Sequence, residues 1–214
     1  LLQVRGLSVR IGVFRESFDP AKPGRLRAVI MTQGCEFRCL WCDRPDLVCP
    51  GLFAKPVPEN EVLRVLERRK PSIDSVLITG GEPAMHPGII GFLLEIKRMG
   101  LPVELSTNGS RPEVVWEVLE CGLAKKVTVS YKLPFSMYKV VSPLDPLVGY
   151  MVRESVRMVL ERNKGEIRTK VIPGVHTGEM IAEMRREVPE MKLVLCECLV
   201  VGEQTMSTGE AISL

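Results

Sequence analysis

Ser75-Val76-Leu77-Ile78-Thr79-Gly80-Gly81-Glu82-Pro83 reads as a strand that runs straight into a glycine turn, and the same unit recurs on either side of it. Toward the N-terminus, Ala28-Val29-Ile30-Met31-Thr32 reads as a strand buried on both faces, followed by a helix over Glu59 to Lys70. That helix carries Val62, Leu63 and Leu66 at helical spacing, Glu59 and Glu61 in its first turn and Pro71 beyond its end. Toward the C-terminus come a helix near Gly88 to Met99, strand Val103 to Ser106, a helix near Glu113 to Cys121, strand Val127 to Ser130 and a helix near Leu147 to Arg162. Strands Ile167 to Ile172 and Leu193 to Leu199 then flank a helix near Glu179 to Arg186. Six strands alternating with helices imply parallel strands with right-handed crossovers. Six units are too few for a closed eight-stranded barrel, so the expected fold is α/β, an open partial (β/α)6 barrel of parallel strands.

Composition narrows the class. The chain has 214 residues, 45% apolar and 26% charged, enough to bury one good core, with no internal repeat and no low-complexity linker. A single domain over residues 1–214 is expected. A net charge of +3 is too mild to argue for nucleic acid, and Arg68-Arg69-Lys70 falls at a predicted helix C-terminus, where cations suit the dipole. Neither a signal-like start nor a membrane-length apolar segment is evident, so no membrane is expected and a cytoplasmic location is. Asn is confined to Asn60, Asn108 and Asn163, and Gln to Gln3, Gln33 and Gln204, a depletion of thermolabile amides that hints at a hot-living source.

The chemistry concentrates in Cys35-Glu36-Phe37-Arg38-Cys39-Leu40-Trp41-Cys42. Three thiolates at C-x3-C-x2-C can hold three irons of a cubane cluster and leave the fourth iron open. Electron-transfer ferredoxins close the cube with a fourth Cys, and structural zinc takes four ligands. On spacing alone, two other readings stay open: buried thiols, or zinc completed by Cys49. Seven Cys, an odd count without an export signal, suit reduced thiols and metal ligation better than disulfides.

In parallel α/β folds functional groups gather where strands feed their C-terminal loops. Gly34-Cys35 follows the first strand, Thr79 to Pro83 the second, Ser106-Thr107-Asn108-Gly109 the third, Ser130-Tyr131-Lys132 the fourth and Pro173-Gly174 the fifth. All are expected at one mouth.

These residues resemble the signature of the radical S-adenosylmethionine (SAM) enzymes: the C-x3-C-x2-C run with Trp41 before its last Cys, and Gly80-Gly81-Glu82-Pro83 after the second strand. Within that superfamily the chain looks most like the archaeal-type activating proteins of anaerobic ribonucleoside-triphosphate reductase, which belong with the glycyl radical enzyme activases. The similarity includes Asp19-Pro20, Pro23-Gly24, Thr32-Gln33-Gly34-Cys35, Pro45 to Val48, Thr107 to Ser110 and Val171 to Thr177. The resemblance implies a 4Fe-4S cluster on Cys35, Cys39 and Cys42, with the methionyl group of SAM chelating the open iron. One electron would cleave SAM to a 5′-deoxyadenosyl radical that abstracts hydrogen. It further implies Glu82 as acceptor for the methionyl ammonium, Gly80 and Gly81 as a close backbone approach, and Lys132 as cation for the carboxylate. Thr107, Asn108 and Ser130 suit ribose hydroxyls, Trp41 would lie beside adenine, and Arg168, pointing inward on the fifth strand, completes the set. The partners implied are a glycyl radical enzyme as protein substrate and a flavodoxin or ferredoxin-type electron donor.

Three departures stand out. Ser106 and Ser130 replace aspartates that hold a monovalent cation beside SAM in the pyruvate formate-lyase type. Cys196-Glu197-Cys198 stands where the resembled activases carry Gln or His. With Cys49 and Cys121, these read as buried or incidental thiols, and His86 and His176 as structural. Two alternatives are a 7-carboxy-7-deazaguanine synthase-like or other small-molecule radical SAM enzyme, and a non-catalytic iron-sulfur or zinc sensor. The synthase lacks support from a Gln-Gly-Glu-Gly ahead of the cluster and from a Thr where Arg44 stands.

Overall fold

A computed structural model describes residues 8–19, 23–188 and 193–197. Seven strands form one sheet in chain order: β1 (Ile11–Phe18), β2 (Leu26–Thr32), β3 (Ser75–Gly80), β4 (Val103–Thr107), β5 (Lys126–Ser130), β6 (Gly165–Val171) and β7 (Leu193–Glu197). From β2 to β7 every neighbouring pair is parallel. These are the six expected strands. Cys198 and Leu199, expected to end the last of them, lie outside the described residues, as does Pro20. No pairing joins β7 back to β1 among the described residues, so the barrel is open. The helices are α1 (Pro45–Val48), α2 (Glu59–Arg69), α3 (Ile89–Arg98), α4 (Pro112–Glu120), α5 (Val148–Glu161) and α6 (Gly178–Glu187). None is long and apolar enough to cross a membrane.

The period-2 alternation of the strands builds two different faces. Ala28 and Ile30, Val76 and Ile78, Val103 and Leu105, Val127 and Val129, and Ile167 are buried on one face. They share one core with Val62 and Leu66 of α2, Phe92, Leu93 and Ile96 of α3, Val115 and Val118 of α4, and Val152, Val156 and Val159 of α5. The alternate positions carry Thr79, Ser106, Ser130, Arg168 and Lys170, all of which line a pocket at the C-terminal ends of the parallel strands. α2 to α5 therefore cover the apolar side of the sheet and leave the polar side to chemistry.

β1 adds an antiparallel edge to β2 that the expected barrel lacks. Of its eight residues only Ile11 and Phe14 are buried, and Ile11 also bridges Val57 ahead of α2. Glu16 accepts two hydrogen bonds from Arg69 of α2, both at 2.9 Å. Arg69 is half-exposed, and such pairs hold little against solvent screening. Phe14→Ala should lower unfolding stability by about 3 kcal/mol, whereas Arg69→Ala should leave the urea midpoint nearly unchanged. Equal losses would show that the ion pair, not the buried ring, fixes this edge.

Candidate active site

The pocket floor begins with two glycines. Gly80 ends β3 at φ +116°, a left-handed backbone that side chains disfavour. A Cβ on Gly81 would lie 2.0 Å from the carbonyl oxygen of Gly34. That closeness lets the amides of Gly81 and Glu82 donate to the carbonyls of Thr32 (2.9 Å) and Gly34 (2.7 Å), locking the β3 turn onto the loop that carries Cys35.

Glu82 follows, fully buried. Its Oε1 accepts from the Thr107 hydroxyl (2.6 Å) and the Ala84 amide (2.9 Å), and its Oε2 from the Asn108 amide (2.5 Å). Burial, then the nearby carboxylate of Glu36, push its pKa up to about 7, against the pull of those donors. Thr107 Oγ1 also accepts from the Gly109 amide at 3.1 Å, so both sides of that hydroxyl are engaged. Asn108 turns its Oδ1 to the Ser110 amide (2.8 Å) and its Nδ2 toward Cys35 Sγ (3.8 Å). Glu82, Thr107 and Asn108 thus bind one another and the cysteine loop.

Cys35, Cys39 and Cys42 line the same pocket, each partly buried. The Phe37 amide donates to Cys35 Sγ at 3.4 Å. Burial, then Glu82, push the Cys35 thiol up to about 12, and burial raises that of Cys39; Lys132 pulls both down. Such thiols become thiolates only when positive charge is brought to them, as iron does. Among the described residues no three His, Cys, Asp or Glu are placed to hold one metal ion. Three sulfurs around one pocket instead suit a cluster, where each takes its own iron. The donor set fits the group.

On the far wall, Ser130 of β5 pairs in register with Arg168 of β6, and Lys132 follows Ser130. No hydrogen-bond partner is found among the described residues for the Ser130 hydroxyl or the Lys132 ammonium. Arg168 is 49% exposed and ion-paired with Glu166. The Trp41 ring meets His176 edge-on, centroids 6.0 Å apart. His176 accepts from the Ile172 amide at Nδ1 (3.0 Å), so Nε2 carries the hydrogen toward the Lys132 carbonyl (2.8 Å). His86 accepts from the Arg10 amide at 3.5 Å. Cys49 and Cys121 are exposed, away from this pocket, while Cys196 of β7 pairs in register with Lys170.

Every residue that the sequence assigned to the site lines the pocket: Cys35, Cys39, Cys42, Trp41, Gly80, Gly81, Glu82, Thr107, Asn108, Ser130, Lys132 and Arg168. Sequence reasoning passed over Lys170, which lines it too and pairs with Asp43 of the cysteine loop at 3.1 Å. The alternation Glu166, Arg168, Lys170 against buried Ile167 and Thr169 was the available signal.

The sequence profile of the Radical SAM superfamily matches residues 29–135, half of the chain, and takes in the pocket residues from Cys35 to Lys132. The chain belongs to the radical SAM superfamily. Members use a 4Fe-4S cluster and SAM, and this radical SAM enzyme shares both cofactors. A protein of Methanocaldococcus jannaschii named "Putative glycyl-radical enzyme activating enzyme" is 26% identical over 181 residues, 80% of this chain and 72% of that protein. A GTP 3′,8-cyclase of Petrotoga mobilis is 22% identical over 85% of this chain and 58% of its own. A 7-carboxy-7-deazaguanine synthase of Rhodospirillum rubrum is 33% identical over 51% and 43%. The chain therefore spans about half the length of the latter two. Among solved structures, SuiB of Streptococcus suis bound to its precursor peptide SuiA aligns with TM-score 0.60 at 17% identity, over 81% of this chain and 39% of that one, a likeness of fold.

Glu82 also makes the metal-free radical SAM protein pH-sensitive. With its pKa raised from 4.5 to about 7, the unfolded chain ionises first as pH climbs, so its contribution is whole below 4.5 and is lost toward 7. Glu82→Gln should be less stable at every pH, since its amide faces donors, yet show a flatter decline between those limits. Urea midpoints measured across that range decide it, and an unchanged slope would assign the titration elsewhere.

Proposed function

We propose that this enzyme installs a glycyl radical on a large partner enzyme, anaerobic ribonucleotide reductase or a relative, and that residues 1–214 act as one radical SAM domain. The observation that carries this reading is the likeness to the Methanocaldococcus activating enzyme, which extends over most of both chains. The open side of the barrel supports it, because a protein loop needs a wide entrance.

Cys35, Cys39 and Cys42 would hold the cluster. When bound, cluster and SAM supply one electron and a hydrogen-abstracting radical. Lys132, whose ammonium has no other partner among the described residues, would take the methionyl carboxylate, while Ser130 faces the ribose and Trp41 the adenine. Arg168 contributes positive charge from the adjoining strand. Gly80 and Gly81 keep the floor low enough for the methionyl end to approach backbone. Glu82, Thr107 and Asn108 hold the turns in place through their mutual hydrogen bonds, and Glu82, whose Oε2 accepts only one of them, would keep a lone pair for the methionyl ammonium while Thr107 and Asn108 border the ribose. A flavodoxin or ferredoxin-type protein would supply the electron.

A second reading, a small-molecule radical SAM enzyme of the 7-carboxy-7-deazaguanine synthase kind, draws on one feature. Arg44, Lys132, Arg168 and Lys170 all line the pocket, and although Asp46, Glu166 and Asp43 pair with three of them, Lys132 is left to meet an anionic substrate.

Protein reconstituted with iron and sulfide, then reduced with dithionite, should convert SAM to 5′-deoxyadenosine, and Cys39→Ala should abolish this. With a glycyl radical enzyme from the same genome, an electron paramagnetic resonance doublet should appear on the partner. Cleavage of SAM without that doublet, coupled to turnover of a deazapurine precursor, would move the assignment to the second reading. Lys132→Ala should raise the SAM dissociation constant about tenfold, the loss of one charge-assisted hydrogen bond, while iron content stays at the parent level.

A further inference from the structure

The outer side of the cysteine loop is apolar. Leu40, between Cys39 and Cys42, is 96% exposed and does not line the pocket, although Cys39, Trp41 and Cys42 do. Its side chain therefore stands away from the site that SAM would occupy. The Arg38 amide donates to the Val141 carbonyl at 2.8 Å, and the Phe37 ring meets Tyr138, so the segment 135–148 is seated against this loop. From that segment Val140 (57% exposed), Leu144 (97%) and Leu147 (59%) also face solvent.

Cations come from the same two segments, Arg38 two residues before Leu40 and Lys139 beside Val140, and Arg111 reaches the cysteine loop at Glu36. Arg38 is exposed and pinned over the loop by hydrogen bonds to the carbonyls of Cys35 and Phe37. Lys139 is exposed and has no acidic partner among the described residues. Arg111 is half-exposed, 3.8 Å from Glu36. Two acids share this region, Glu36 bonded to the Ser110 hydroxyl and Asp145 accepting from the Leu147 amide, and the three cations outnumber them.

We propose that this face docks an acidic one-electron carrier protein, and that Leu40 is the contact through which the carrier approaches the cluster. The inference rests on the radical SAM reading, in which Cys39 and Cys42 are cluster ligands. Three features select this occupant. A substrate must reach the pocket, and this face lies on the other side of the loop from it. A partner touching Leu40 is one residue from Cys39 and two from Cys42, with consecutive Cα atoms about 3.8 Å apart, so the path for an electron is short. A small apolar patch with cations beside it matches transient redox encounters, which bury little area and are steered by complementary charge. One electron passes from the reduced carrier to the oxidised cluster; the carrier is oxidised by one electron, and the cluster holds it for SAM cleavage.

The test uses the reconstituted full chain and a double variant, Lys139→Glu with Leu144→Asp, neither of which lines the pocket. Reduced flavodoxin is mixed anaerobically with each protein and the bleaching of cluster absorbance is followed, with dithionite as the parallel reductant. Bleaching by flavodoxin should slow about tenfold or more in the variant, and oxidised flavodoxin should bind it correspondingly more weakly, as loss of steering charge and apolar contact requires. Dithionite bleaching and 5′-deoxyadenosine formation should match the parent. Added salt should slow the parent toward the variant. Equal rates with flavodoxin would overturn the proposal. So would slowing with both reductants, which would make the patch a support of the loop, or retained flavodoxin reduction with loss of binding to the protein substrate alone. A parent that dithionite cannot bring to cleave SAM would instead overturn the catalytic reading, a separate failure.

Discussion

One buried carboxylate holds the candidate site together. Glu82 accepts from Ala84 in its own turn and from Thr107 and Asn108 at the end of β4, while its amide donates to Gly34 at the end of β2. Three consecutive strand ends are therefore joined through one residue. An ionisable group in such a place is costly unless its oxygens are satisfied, and here both are. The arrangement reaches the cysteines through Asn108, whose Nδ2 approaches Cys35 Sγ. It is possible only because Gly81 carries no side chain where Gly34 stands. Any larger residue there would part β3 from the cysteine loop.

With three donors already on Glu82 at the back of the site, Ser130 and Lys132, whose side chains have no hydrogen-bond partner among the described residues, fall on the opposite wall beside the ion-paired Arg168. Ser130 and Lys132 come from β5 and its loop, Arg168 from β6. Their setting is rigid as well. Thr169 Oγ1 donates to the Tyr131 carbonyl at 2.7 Å, the Tyr138 hydroxyl accepts from the Lys132 amide at 3.0 Å, and the His176 ring touches both Trp41 and the Lys132 carbonyl. The Tyr131 hydroxyl bonds to Glu187 at the end of α6. A flexible lysine thus projects from a backbone fixed on both sides, and only its side chain is left to adapt to a ligand.

Parallel strands are legible in a sequence when their inner positions are continuously apolar, and β2 to β6 meet that condition with Ala28, Ile30, Val76, Ile78, Val103, Leu105, Val127, Val129 and Ile167. β1 is not legible, because its buried residues, Ile11 and Phe14, are three apart and Arg15, Glu16 and Ser17 interrupt any alternation. Its pairing is decided by β2 and by the bridge to Val57, which are tertiary facts. The site residues are legible as a set, since glycines, thiols and short polar residues recur just after the strands. Their hydrogen-bond partners are not. Nothing in Gly80-Gly81-Glu82-Pro83 tells whether the carboxylate turns to a ligand or to Thr107 and Asn108; only the packing of β3 beside β4 does. Lys170 was passed over because period-2 patterning marks a face and not the far loop, at Asp43, that completes the contact.

The charge of the pocket wall follows from two serines. Ser106 and Ser130, which stand where the pyruvate formate-lyase type carries aspartates, both line the pocket here. Serine hydroxyls can offer oxygen ligands to a cation but none of the negative charge that two carboxylates would bring. Of the acids at the mouth, Glu82 is buried behind the turn and Asp43 is paired with Lys170. Positive charge on this wall is instead covalent, in Lys132 and Arg168, the latter in register with Ser130 itself. Thiolates and a methionyl carboxylate need countercharge in a partly desolvated pocket, whatever its source. A side-chain cation provides it without depending on the ionic composition of the medium, and Lys132 does so from a backbone that Tyr138 and His176 hold in place.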